Sequence, residues 1–218
     1  MAATESAPLF ATFLAALKDQ AQHYDPNKDA LGYFRMKAIL DANPADFKSE
    51  MAFNLATGIG AIVAMVHESI ATFKHHVELG NLWEELWVNG VPKRERAAQL
   101  IYFAMADVFC RANDVDISPE ANMGGGPIDF KFSKGYQARV LVELKRSSGS
   151  VVHGYEKQLE FYKAAARTFH GIYVVLDFGD LGDKLDQITR IRNARLSAGT
   201  PASDIIDATP KRSASKRK

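Results

Sequence analysis

The sequence predicts an α/β fold, a mixed sheet with helices packed on it and a helical region ahead of it. Three observations predict this. Residues 1–92 carry helical apolar periodicity, interrupted at Asp25-Pro26, Asn43-Pro44 and Gly90-Val91-Pro92. Residues 115–145 hold three short segments of strand character separated by polar turns. After a further helical stretch, Ile172-Tyr173-Val174-Val175-Leu176 is an apolar run of strand length.

Taken in order, Leu9, Phe13, Leu14 and Leu17 give a first helical stripe, and a second helix is expected over residues 46–78. It tolerates Gly58 and Gly60 at some cost. That Gly-x-Gly is not a nucleotide fingerprint, because no strand precedes it and no third glycine follows. His75 and His76 read as solvated, and Trp83 and Trp87, spaced i, i+4, read as a packing pair. A helix over 93–112 places Ala97, Leu100, Ile101, Ala104 and Val108 along one side. Strands are expected near 115–121, 128–132 and 138–145. A helix over 152–169 follows, with Tyr155, Leu159, Tyr162, Ala166 and Phe169 as its buried stripe. A strand over 171–178 and an amphipathic, basic helix over 184–196 complete the order α-β-β-β-α-β. The organisation expected is a helical region over 1–92, a core over 93–196, and a basic, disordered tail over 197–218.

Composition is that of a soluble globular domain, with 218 residues, 47% hydrophobic and 24% charged. Cys110 is the only cysteine, so no internal disulfide forms; its apolar helical setting predicts a buried, inert thiol. No basic segment precedes an apolar stretch at the N-terminus, which argues against a signal peptide. The most apolar window, residues 51–66, falls short of the ~20 residues of a bilayer span. A cytoplasmic protein with no membrane partner is expected. The net charge of +1 is uneven: residues 190–218 carry eight Lys/Arg against two Asp, a local +6, leaving −5 on residues 1–189. The basic end is either a solubilising tail or a phosphate-seeking arm.

Residues 127–145 hold the chemistry. Alternation puts Glu143 and Lys145 on one face of a strand, with Val142 and Leu144 on the other. If residues 128–132 pair with that strand, Asp129 lies beside Glu143. Charges beside a buried sheet lose hydration, so two carboxylates and a lysine there point to a divalent-metal site that acts on phosphate. The alternative is a surface hairpin with an ordinary Glu–Lys pair of little energetic weight. Glu120 can lean toward the same face, and the glycines at 124–126 make a flexible turn. His153 reads as a cap-region residue.

This pattern resembles the PD-(D/E)xK nuclease superfamily over roughly residues 93–180. Pro127-Ile128-Asp129 is similar to its first half-motif and Glu143-Leu144-Lys145 to its second. Gln158-Leu-Glu-Phe-Tyr162 is similar to the Gln-x-x-x-Tyr extension of RecB-like nucleases. The segment from Gly124, with the later Val-Glu-Leu-Lys, is also similar to nuclease-like proteins of bacterial defence and restriction loci. The resemblance implies a restriction-endonuclease-like αβββαβ core and Mg²⁺- or Mn²⁺-dependent hydrolysis of DNA, as an endonuclease in restriction or phage defence. It implies Asp129, Glu143, Lys145, Gln158, Tyr162 and Glu95 as catalytic residues. Metal ligands would come from Asp129, Glu143, the Leu144 main-chain carbonyl and Glu95. DNA would meet Lys131, Arg146, Lys157, Lys211 and Arg212, with Lys163 a further basic candidate. Partners would be DNA and a second copy or a larger defence complex.

Two other readings stand beside it. One keeps the fold without catalysis, as a nucleic-acid-binding or assembly module of a larger complex. The other is a repair or recombination nuclease acting on ends. The lack of a Walker-type loop argues against an ATP-driven function.

Overall fold

The computed structural model describes residues 58–124, 126–135, 138–201 and 203–211, with isolated helical positions Arg35, Ala38 and Ala42. The stripe at Leu9–Leu17, the breaks at 25–26 and 43–44, residues 46–57 of the second expected helix, and Arg212 with the end of the tail lie outside the described residues.

Helix α1 (Ile59–Glu78) buries Ile62, Met65, Val66, Ile70, Phe73 and Val77, a 3.6-residue stripe. A 3₁₀ turn (Leu82–Leu86) leads into a small hairpin of β1 (Trp87–Val88) and β2 (Val91–Pro92). Asn89 and Gly90 turn it with φ of 51° and 75°, as a primed two-residue turn demands. Residues 82–89, expected to lie in the helical region, thus form a 3₁₀ turn and the first strand of a hairpin in place of an α-helix, and the expected break at Gly90-Val91-Pro92 falls in that hairpin. Trp83 and Trp87 do not share a helix face: Trp87 packs edge-on to Phe178 and donates its indole N–H to the Ala208 carbonyl at 2.8 Å.

Helix α2 (Glu95–Asn113) ends where Asp114 turns left-handed. Its buried side is Ala98, Tyr102, Phe103, Ala106, Phe109 and Cys110, one residue round from the expected stripe, whose members are half-buried. Tyr102, Phe103 and Phe109 bring the larger apolar area, and they set the rotation. Cys110 is buried, as expected.

The sheet follows: β3 (Asp116–Asn122), β4 (Pro127–Lys134) and β5 (Ala138–Arg146) form an antiparallel meander. A crossover then runs through α3 (Val151–His153), a π-turn (Gly154–Gln158) and α4 (Leu159–Ala166) to β6 (Gly171–Asp177), parallel to β5. Helix α5 (Lys184–Ser197) and the parallel edge strand β7 (Asp204–Asp207) complete a five-stranded mixed sheet in the order β3-β4-β5-β6-β7. The expected order α-β-β-β-α-β is present.

The sheet is covered on both faces. Phe130, Phe132, Val140, Val142, Leu144, Ile172, Val174 and Leu176 pack with α1 and α2, so the core reaches N-terminal of Pro92. Leu141, Tyr173 and Val175 pack on the other face with Tyr155, Leu159, Tyr162, Ala166 and Ile188. Phe169 departs from its expected stripe and is 84% exposed: Arg167 turns left-handed (φ 52°) and ends the helix at Ala166. The tail expected from residue 197 is not wholly disordered, since β7 pairs with β6 and Lys74 binds both the Asp204 carboxylate and the Ile205 carbonyl.

Candidate active site

The β4–β5 ladder runs from Lys134↔Ala138 to Phe130↔Val142 and stops there. Beyond it two side chains take the place of ladder bonds. Leu144 N–H donates to Asp129 Oδ2 at 2.7 Å, and Asp129 N–H donates to Glu143 Oε2 at 3.3 Å. The strand ends thus form a fork with a carboxylate on each prong. β5 is held in place from its other edge by β6, with Glu143↔Tyr173 and Lys145↔Val175 in register. In a strand, the N–H and C=O of one residue point to the same edge, so the Leu144 carbonyl faces the fork with its N–H.

Lys145 Nζ closes the fork, 2.8 Å from Glu143 Oε1, 3.1 Å from Glu95 Oε1 and 3.9 Å from Asp129 Oδ2. Glu95 opens α2 and is aimed by its second oxygen, which accepts Arg146 N–H at 3.0 Å. One turn along, Gln99 donates to Asp129 Oδ1 at 2.8 Å, so both Asp129 oxygens are engaged. Glu120 holds φ 49° between the Pro119↔Phe130 and Ala121↔Ile128 pairs, the β3 position opposite Asp129.

Electrostatics follow from burial. Asp129 is 6% exposed and Glu143 1%. Loss of water pushes the Asp129 carboxyl well above its ordinary value, and the charge of Glu143 adds to this. Glu143 is raised by burial, against the pull of Lys145. Burial also raises Glu120. For Lys145 burial acts to lower the pKa, but Asp129, Glu143 and Glu95 together outweigh it and hold the ammonium charged. Asp129, Glu143 and Glu95 therefore share the Lys145 ammonium, while Glu120 feels both Lys145 and Arg96.

The donor set fits a hard divalent cation. Among the described residues, no three His, Cys, Asp or Glu groups are arranged to hold a metal by themselves. Magnesium, however, commonly takes one or two carboxylates and fills its remaining positions with water and phosphate oxygens. Asp129, Glu143 and the Leu144 carbonyl supply that kind of partial shell.

The second wall is the crossover helix. Its π-turn carries Gln158, whose Nε2 donates to the Tyr162 hydroxyl at 2.7 Å. Burial raises the Tyr162 pKa, and Glu143 raises it further, which marks Tyr162 as a neighbour of the cluster. A side chain at Gly126 would begin 3.8 Å from that hydroxyl, so the glycine turn ahead of β4 lies against it.

Of the residues singled out in the sequence, Asp129, Glu143, Lys145, Glu95 and the Leu144 main chain come together, with Gln158 and Tyr162 alongside. The basic residues do not gather there. Lys157 is exposed on the π-turn, and Lys131 is half-buried opposite Leu141. The Arg146 guanidinium stacks on Phe178 at 5.2 Å. Lys163 pairs with Glu160, and Lys211 pairs with Asp207. Arg212 lies outside the described residues. One site residue escaped the sequence reading, Gln99, which donates to Asp129. It could have been found by its i, i+4 spacing from Glu95.

No helix among the described residues is long and apolar enough to cross a membrane. No curated protein and no solved structure matches the chain. A family model described as a domain of unknown function, DUF8371, matches residues 62–180, from the first buried residue of α1 past the end of β6, with the whole fork inside it. The chain belongs to the DUF8371 family.

Proposed function

We propose that this chain is a divalent-metal-dependent nuclease that hydrolyses phosphodiester bonds of DNA, as the PD-(D/E)xK enzymes it resembles do. One observation carries the reading: two buried carboxylates face each other where the β4–β5 ladder ends, with an ammonium 2.8 Å from one of them. Asp129, Glu143 and the Leu144 carbonyl are the groups that would hold Mg²⁺ or Mn²⁺, with Glu95 close by. Such an ion, when bound, supplies Lewis-acid polarisation and neutralises charge at phosphorus.

The chain's own residues do the remaining work. Lys145 offers ammonium protons at the fork, where they orient an attacking water and offset negative charge growing on the phosphate oxygens. Glu95 restrains Lys145 through its ion pair and fixes the β5 backbone through Arg146 N–H. Gln99 and Leu144 N–H hold the Asp129 carboxylate in one orientation, so it is preorganised. Gln158 and Tyr162 provide polar groups on the opposite wall. An endonuclease of restriction or phage defence, working in the cytoplasm, is the context in which the resemblance sets this activity.

The test is incubation of purified protein with supercoiled plasmid and Mg²⁺ or Mn²⁺, beside EDTA controls. Nicking or linearisation that needs metal and falls at least a hundredfold in both Asp129→Ala and Lys145→Ala is expected. Metal-independent cleavage, or full activity in either variant, contradicts the proposal.

One observation favours a second reading, a non-catalytic nucleic-acid-binding module. Lys145 already bridges Glu143, Glu95 and Asp129, so the carboxylates have a counter-ion of their own. That reading predicts metal-independent DNA binding unchanged in Glu143→Ala, with no cleavage.

A further inference from the structure

Alternation along β5 turns Lys145 to the fork and Arg146 to the other face of the sheet. Glu95 stands between them: its Oε1 takes the Lys145 ammonium at 3.1 Å, and its Oε2 accepts the main-chain N–H of Arg146 at 3.0 Å. The Arg146 side chain is thereby left out of the carboxylate cluster. Its guanidinium carbon lies 5.2 Å from the centroid of the Phe178 ring. Trp87 meets that ring edge-on, with centroids 5.5 Å apart, and is itself tied to the Ala208 carbonyl. The platform under the guanidinium is therefore fixed.

The Arg146 Nε is buried and has no hydrogen-bond partner, and among the described residues no carboxylate forms an ion pair with this side chain. Other cations of this layer are engaged: Lys163 and Arg195 pair with Glu160, Lys211 pairs with Asp207, and Arg192 donates to the Ser203 carbonyl. A guanidinium carries five donors in a planar fork and cannot shed its charge. Packing on Phe178 does not require it, since methionine would cover the same ring and leave no donor unpaired. A stacked, half-buried guanidinium with donors to spare, one residue beyond Lys145, suits an anion that comes from outside the chain.

We infer that Arg146 is a phosphate-binding residue that docks a DNA phosphate next to the one attacked at the fork. Lys145 serves the scissile phosphate, and Arg146, on the other side of Glu95, takes a neighbouring one. Phe178 holds the guanidinium in place beforehand, so little side-chain freedom is lost on binding. The contact positions the nucleic acid and reads no base. The inference rests on the nuclease reading for its ligand, DNA.

The experiment compares Arg146→Met and Arg146→Lys with the wild type in the full chain. Methionine keeps an apolar stem over Phe178 without the charge; lysine keeps the charge without the planar fork. Three quantities are read: kcat and KM of Mn²⁺-dependent plasmid nicking, the Kd of a labelled DNA duplex in EDTA at 50–200 mM salt, and Tm. Arg146→Met is expected to raise KM and Kd about tenfold, the scale of one charged hydrogen bond, with kcat changed less than twofold and Tm not lowered. The slope of log affinity against log salt should flatten by about 0.9, the value of one phosphate contact. Arg146→Lys should restore the slope and only part of the affinity. Unchanged KM or Kd in Arg146→Met overturns the inference. So does a loss confined to kcat, or a fall in Tm that accompanies the loss of binding. Wild-type protein that binds DNA through Arg146 without nicking it overturns the nuclease reading and leaves this inference standing. Wild-type protein that neither nicks nor binds DNA overturns both.

Discussion

Asp129 accepts hydrogen bonds on both oxygens and still has a raised pKa, because burial and the neighbouring Glu143 outweigh what Leu144 N–H and Lys145 supply. That imbalance fixes the pH dependence of the metal-free protein. Asp129 and Glu143 hold their protons more tightly folded than unfolded. Their contribution is fully favourable below the unfolded carboxyl value of about 4, and it is lost as pH rises through the raised folded values. Lys145 acts in the same sense but only far into the alkaline range, since its folded value lies above its unfolded one. Asp129→Asn removes one buried charge. It should stabilise the metal-free protein at pH 8 by about 1 kcal/mol, a Tm gain of about 2–4 °C, with no gain at pH 4. A thermal melt series from pH 4 to 8 in EDTA checks this; equal Tm shifts at both ends would show that charge is not the cause. Asp129, Glu143 and Lys145 were legible in the sequence because two-residue alternation assigns faces without any knowledge of the fold. Gln99 was harder, since its role depends on which helix face lies opposite Asp129.

At the scale of elements, the meander β3-β4-β5 and the buried strand β6 were legible from apolar patterning, with boundaries a residue or two adrift. The misses have local causes. The β1–β2 hairpin was hidden because its strands are only two residues long and Gly90-Val91-Pro92 has the composition of a helix break, although Asn89-Gly90 is the turn dipeptide. β7 was missed because Ile205 and Ile206 are only two apolar residues between aspartates. Its worth is nonetheless testable. Ile206 and Ala208 are fully buried, β7 pairs with β6, and Lys74 and Trp87 bond to residues of this segment. Truncation after residue 202 should destabilise the protein by about 3 kcal/mol or more, the scale of a lost buried aliphatic side chain plus exposed ladder bonds. Truncation after Lys211 should leave Tm unchanged. Denaturant melts of the two truncated chains decide it, and equal stability would mean that β7 does not support the sheet.

At the scale of the whole molecule, the sheet is a rigid floor covered on both faces, and the fork opens where one ladder ends between the two helical layers. Helix α2 sends Glu95 and Gln99 to it from one side, and the π-turn and α4 carry the bonded pair Gln158 and Tyr162 alongside it from the other. The charge asymmetry of the chain has its own consequence. Deleting residues 212–218 removes four Lys/Arg and should weaken DNA binding mainly at low salt. The dependence of log affinity on log salt should flatten by up to about 0.9 for each phosphate that the tail no longer neutralises. Anisotropy titrations at 50 and 200 mM salt measure that slope; an unchanged slope would make the tail a solubilising end.

Everything proposed for the fork requires that it take up a divalent cation. Calorimetric titration of Mn²⁺ into the wild-type chain and into Asp129→Ala, both at pH 8, tests this most directly. Saturable binding by the wild type is expected, with at least a tenfold weaker affinity in Asp129→Ala. Binding that is absent from a folded wild type, or identical in the variant, would contradict it.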